Sequence, residues 1–334
     1  MPLLSAKFGI EIASPCLLTW PEDGAPSIGV DILGFSVTVK LHSAEGWRVK
    51  DAADINWTTG LGRLDIVVSR DESDSPPEVI QTADGKRDLT VQGEYLRSRL
   101  PDYKAAASEA ANRTLQFFKF ALSTPQVAQI PSWDHYLNNP VWFDAHGTEL
   151  RGGTRTAIAQ PVPGLWGELG AKKLTPSELG ALQSFVAAPT EPNLALTLLS
   201  DAQTAWFEGS HRRSVLELAI CTEILVKRRF FAQSSPAGAA FDYLEDKAKV
   251  SVRVLDLLDA IAEEAFAVSY RKQSPANFQC IDYLFRCRNK IAHRGELTFR
   301  DDTGATAAVD ATRVKAWWYA VVDLKSWLEG LVPR

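Results

Sequence analysis

The chain has 334 residues, 46% of them hydrophobic and 23% charged, with a formal net charge of −5. That length suits two domains, and the balance is that of an ordinary globular protein. It excludes a generally cationic nucleic-acid binder, and no run approaches the ~20 apolar residues that a membrane span needs. The opening MPLLSAKFGIEIASP lacks a basic start followed by a long apolar stretch, so no signal peptide and a cytoplasmic setting are expected.

Residues 3–97 read mainly as β. Runs rich in β-branched and aromatic residues occur at 7–12, 30–41, 61–68 and 89–96, separated by turn-forming clusters such as Pro21-Glu22-Asp23-Gly24 and Asp71–Pro77. From Asp102 to about Leu122 the pattern turns helical, with many alanines and an apolar end at Phe117, Phe118 and Phe120. Residues 123–175 are proline-rich and irregular, with a strand expected near Thr154–Gln160. Pro176–Ala187 reads as a short helix, and Ala188-Pro189-Thr190-Glu191-Pro192 as a domain boundary. No phosphate-binding glycine loop and no nucleotidyltransferase-like pattern occur in 1–190. Trp20, Trp47, Trp57, Trp133, Trp142 and Trp166 lie in this part, several beside turns. Core packing explains most of them, and one or two are expected on a recognition surface.

Beyond Pro192 the pattern is almost wholly helical, with helices expected at about 193–208, 211–231, 239–249, 252–266, 275–294 and 310–330. Gly209 ends the first and Ser210 can cap the second. Leu297–Val309, with Asp302-Thr303-Gly304, reads as a small hairpin or loop. The fold class is therefore α+β: a β-rich domain with a long helix over 1–190, then a helical domain over 191–334.

Charge is unevenly spread. Residues 271–300 hold Arg271, Lys272, Arg286, Arg288, Lys290, Arg294 and Arg300 against Asp282 and Glu296. Within this excess lies Arg288-Asn289-Lys290-Ile291-Ala292-His293, late in the amphipathic pattern that stops at Gly295. A fixed cation, an amide and a group that titrates near neutrality are the parts for cutting a phosphodiester without a metal. Arg286 also has a spacing to His293 that fits. At about 100° per residue, Arg286, Asn289 and His293 share a helix face, while Arg288 points some 140° from His293. Cys16, Cys221, Cys280 and Cys287 form no C-x-x-C pair and are expected reduced and mostly buried. Cys287 stands beside Arg288, a placement that favours a lowered thiol pKa, although nothing makes it a nucleophile. Asp134-His135 and Asp144…His146 have no further ligand at a metal-binding spacing, so neither a metal nor another cofactor is expected.

This segment and the helices around it resemble the R-x4-6-H motif of HEPN domains, over roughly Glu191–Arg334. The paired helices LALTLLSDAQTAWFEGSHRRSVLELAICTEILVKRRFF are similar to the start of such domains, and the motif precedes a final helix as it does there. The resemblance implies a HEPN-like helical bundle acting as a metal-independent endoribonuclease of a bacterial defence (toxin or anti-phage) or growth-control system. It assigns the catalytic positions to Arg288, Asn289 and His293, with Arg286, Lys290 and Arg294 as RNA-phosphate contacts. Glu217 and Glu223 are candidates to support the motif arginine from a neighbouring helix. The implied partners are RNA (tRNA among the candidates), a second copy of the chain through the C-terminal domain, and a regulatory or trigger protein through a sensor-like N-terminal domain; no membrane is implied. The alternative is a non-catalytic HEPN module for dimerisation or for binding a nucleotide or RNA. A purely structural role, with His293 capping its helix near Gly295, is a further one.

Overall fold

Alternation along β1 (Leu3–Cys16) builds the N-terminal sheet: Leu4, Ala6, Phe8, Ile10 and Ile12 are buried, and the residues between them are not. This computed structural model describes residues 1–16, 18–19, 25–43, 49–50, 57–58, 61–122, 130, 135–153, 155–158, 172–189, 192–231 and 252–332. Among them the chain divides into two compact units, Met1–Glu191 and Pro192–Arg334. The arrangement is α+β, with a seven-stranded sheet in the first unit and mostly helices in the second.

Besides β1, the sheet contains β2 (Ser27–Ile32), β3 (Phe35–Ser43), β4 (Leu61–Asp71), β5 (Val141–Phe143), β6 (Glu149–Arg151) and β7 (Arg155–Ile158). Its order is β6-β5-β1-β4-β3-β2, antiparallel throughout that path. The same edge of β1 takes β5 antiparallel at Ser5–Lys7 and β7 parallel at Gly9–Ile12. The run read as one segment, 30–41, is in fact two strands joined at Leu33-Gly34, both with positive φ (52° and 79°). That is the turn whose twist matches a two-residue hairpin.

α1 (Thr90–Phe120) covers the sheet and corrects the strand expected at 89–96. Tyr95, Leu96 and Tyr103 in its first half are buried at helical spacing, so packing against the sheet overrides the β preference of Tyr95. Its second half buries Ala106, Ala107, Ala110 and Ala111, whose small side chains let helix and sheet approach closely. Glu72, buried at the end of β4, accepts from Tyr103 Oη (2.9 Å), Arg70 Nη2 (3.0 Å) and Arg99 Nε (3.2 Å) and so ties helix to sheet. On the other face of the sheet, Asp65 accepts from Lys7 and Arg63. Burial alone would push its carboxyl up, but those two partners outweigh burial and hold it below the usual carboxylate range. α2 (Pro176–Ala187) begins with a capping box between Thr175 and Glu178. Trp142 is buried against Tyr103, with ring centres 5.1 Å apart, so it does not belong to a recognition surface. The side chains of Trp20, Trp47, Trp57, Trp133 and Trp166 lie outside the described residues.

In the C-terminal unit, α3 (Leu194–Phe207) and α4 (His211–Phe230) form a hairpin across Gly209, whose φ is 73°. The helix expected at 239–249 lies outside the described residues. α5 (Val254–Asp256) runs through a π-turn at Leu257–Ile261 into α6 (Ala262–Phe266), which stops at Ala267 with φ 62°. α7 (Tyr270–Gln273) leads to α8 (Pro275–Arg294), the hairpin β8 (Thr298–Arg300) and β9 (Thr306–Ala308), and α9 (Ala311–Glu329). Ile281, Leu284, Cys287 and Ile291 make the inner stripe of α8, and each large apolar member contributes about 1.5–3 kcal/mol by its burial. Trp317, Val321, Leu324 and Leu328 fill the inner face of α9. Among the described residues, no helix is long and apolar enough to cross a membrane.

Leu33 holds a left-handed backbone that Asn or Gly adopts more readily, and its side chain is exposed. Leu33→Asn is therefore expected to stabilise the protein by about 0.5–1 kcal/mol, read as a higher midpoint of thermal unfolding.

Candidate functional site

The inner stripe of α8 fixes where its polar residues point. With the stripe against the core, Asp282, Arg286, Asn289 and His293 fall together on the outer face, each three or four residues from the next. The helix ends cleanly just beyond them. Gly295 takes φ 67° and donates its N–H to the Ile291 carbonyl (2.9 Å), the left-handed stop for which glycine is suited. His293 is exposed and has no hydrogen-bond partner among the described residues, so it does not cap the helix.

The β8–β9 hairpin supplies the neighbouring wall. Phe299 is buried against Tyr283 and Trp317, with ring centres 4.8 and 5.6 Å away. Asp301 closes the turn by accepting from the backbone N–H groups of Thr303 (2.9 Å) and Ala305 (3.0 Å). Asp302 reaches back to α8, accepting from Gln279 Nε2 (2.8 Å) and Tyr283 Oη (3.2 Å). Its Oδ1 lies 3.0 Å from Arg286 Nη2. Arg286 also pairs with Asp282 one turn back and donates to the Arg300 carbonyl at 3.0 Å. That guanidinium is a clamp between helix and hairpin as well as part of the site. In the sequence Asp282 and Arg300 stand out only as members of the charged segment 271–300, with no site role; the i, i+4 spacing of Asp282 to Arg286 was the available signal.

Two open hollows flank this helix. One, of about 450 Å³, is lined by Arg286, Asn289, Lys290, His293, Arg294 and Arg300. All but Asn289 are cationic or basic side chains, and no carboxylate is among the six. The other, of about 650 Å³, holds Arg288 and faces Val252–Asp256 and Asp259. Arg286 and Asn289 line both, forming the ridge between them. Within the chain the structure thus brings Arg286, Asn289, Lys290, His293 and Arg294 together and turns Arg288 to the far side. Arg288 keeps a link across the ridge, since its Nη1 donates to Asn289 Oδ1 at 3.2 Å.

The two glutamates do not contact either arginine. Glu217 pairs with Arg213 on its own helix at 2.7 Å. Burial raises its carboxyl pKa in spite of that partner. Glu223 lines the Arg288 hollow but pairs with Lys227, at 2.9 Å. Cys287 is buried, and burial pushes its thiol up to about 11, the reverse of the lowering expected from its neighbour Arg288. Cys280 is shifted upward for the same reason. Among the described residues, no group of three or more His, Cys, Asp or Glu side chains is placed to hold a metal ion.

No protein-family model, curated protein or solved structure matches this chain. The two arginines are separable by their surroundings. Arg286→Ala, which leaves Asp282 without its ion pair and Asp302 held only by Gln279 and Tyr283, is expected to cost about 1 kcal/mol in thermal or denaturant unfolding. Arg288→Ala, with its single side-chain bond, is expected to stay within about 0.5 kcal/mol of wild type.

Proposed function

We propose that the C-terminal unit is a HEPN-type, metal-independent endoribonuclease that cuts RNA, tRNA among its candidate substrates, in a bacterial defence or growth-control setting. The observation that carries this reading is the exposed His293 in a hollow whose other charged walls are all cationic. An imidazole in such a place meets a phosphodiester at its ribose side. It takes the proton of the 2′-hydroxyl as that oxygen attacks the phosphorus, and the 5′-oxygen leaves. Arginine forks and the Asn289 amide are suited to the charge that grows on the equatorial phosphoryl oxygens. The products are a 2′,3′-cyclic phosphate and a 5′-hydroxyl, and DNA, without the attacking hydroxyl, resists.

The leaving 5′-oxygen needs a proton from a second group. Two copies of the chain that set their α8 hollows face to face supply it, because the second His293 then stands across the phosphate from the first. The same pairing lets Arg288 of one copy approach the His293 hollow of the other, which a single copy's helical geometry does not allow. The N-terminal unit, with its polar sheet face, is read as the part that receives a regulatory or trigger protein. One observation favours a second reading: Arg288 and His293 face different hollows in one subunit, as a non-catalytic nucleotide- or RNA-binding module would tolerate.

Incubation of total RNA and of purified tRNA with the full chain in EDTA distinguishes the two. Cleavage by wild type is expected, with a loss of about 10²–10⁴-fold in His293→Ala at unchanged thermal midpoint. Equal cleavage by both proteins would remove His293 from the chemistry, and no cleavage by either would favour the binding module.

A further inference from the structure

The Arg288 hollow has the make-up of a nucleobase pocket. On α8, Phe278 and Phe285 are seven residues apart, two turns along one face, and both line this hollow. Both are only half-buried, so they offer aromatic surface outside the core. The Arg271 guanidinium stands 5.6 Å from the Phe278 ring centre. The opposite wall, around α5, brings Arg253 and Asp256, both exposed. Most carboxylates of this hollow are already engaged: Asp282 by Arg286, Asp259 by Ser269 and Arg271, and Glu223 by Lys227. The Asp256 carboxylate has no hydrogen-bond or ion-pair partner among the described residues.

The composition separates the two hollows chemically. The His293 hollow is lined by Lys290, Arg294, Arg300 and the Asp-paired Arg286 and by no carboxylate, and suits a phosphate. The Arg288 hollow offers aromatic surface, cations and an unengaged carboxylate. Four arginines and four carboxylates line it, so charge alone does not select a purely anionic ligand, whereas a base with a phosphate attached meets all three features. We infer that this hollow binds the nucleobase of the nucleotide next to the scissile phosphate and favours guanine. The base lies against the Phe285 ring, since Phe278, about 10 Å further along the helix, is already faced by Arg271. The Asp256 carboxylate accepts from the two adjacent N–H donors, N1–H and N2–H, of the guanine Watson–Crick edge. Uracil and cytosine lack that donor pair, and adenine has an acceptor at N1. Arg288 and Arg253 meet the flanking phosphate. The ridge of Arg286 and Asn289, which lines both hollows, keeps base and scissile phosphate one nucleotide apart. This specificity role for Asp256 rests on His293 as the cutting site, and it also gives Arg288 a task that does not require it to reach His293.

The test uses full-length His293→Ala protein, which still binds, and titrates it calorimetrically with 5′-GMP, 5′-AMP, 5′-CMP and 5′-UMP. GMP is expected to bind at least about tenfold tighter than UMP, as a bidentate base contact provides. Asp256→Asn should bring GMP to the level of UMP without lowering the thermal midpoint. Phe285→Leu, which keeps apolar volume but removes the ring, should weaken all four. Equal binding of the four nucleotides, binding of none, or indifference to Asp256→Asn would overturn the inference. Cleavage in EDTA scores the other claim separately. RNA cut by wild type without preference for a neighbouring guanine leaves the ribonuclease standing and sinks the pocket. Asp256-dependent GMP binding without any cleavage does the opposite.

Discussion

An α-helix turns about 100° per residue, and on Pro275–Arg294 that one constraint decides which charges meet. Ile281, Leu284, Cys287 and Ile291 are committed to the core, so the rotation of the helix is not free. Once they are inside, Asp282, Arg286, Asn289 and His293 stand outside in a line, and Arg288 is left on the border of the core stripe. The two hollows, their different chemistry and the shared ridge of Arg286 and Asn289 follow from that rotation. So does the need for a second copy if Arg288 and His293 are to act on one phosphate.

The hairpin after α8 makes the arrangement rigid. Phe299 is anchored against Trp317, while Asp302 and the Arg300 carbonyl hold Arg286 from above. The Gly295 stop lets the chain leave the helix directly past His293, so the imidazole is presented at an edge rather than covered by a following turn. Arg286 thus serves stability and electrostatics at once.

The helical part of this arrangement was legible from spacing. The segment 275–294 has an inner stripe, a proline start and a glycine stop, and the helix observed has those bounds. The helices at 176–187, 193–208, 211–231 and 310–330 were readable to within a residue for the same reasons. The misreading at 89–96 has a physical cause. Leu89, Val91 and Tyr95 alternate as in a strand, but Leu89 and Val91 are exposed while Gln92, Tyr95 and Leu96 are buried at helical spacing. The α+β class needed no more than composition shifts along the chain. The site was legible in part. The face shared by Arg286, Asn289 and His293 follows from the helical period, but the hairpin clamp on Arg286 depends on Asp302, twenty residues from Asp282, and long-range pairing leaves no local signal. The opposite wall of the Arg288 hollow, around Asp256, was unreadable for the same reason, and the thiol of Cys287 followed its burial rather than its neighbour in sequence.

The most direct measurement is the chemistry of the ends. An RNA oligonucleotide cut by the protein in EDTA would be compared with the same oligonucleotide carrying a single 2′-deoxynucleotide on the 5′ side of the cut. The account predicts a 2′,3′-cyclic phosphate and a 5′-hydroxyl from the first and no cut at that position in the second. A 5′-phosphate product, or cleavage that ignores the missing hydroxyl, would contradict it.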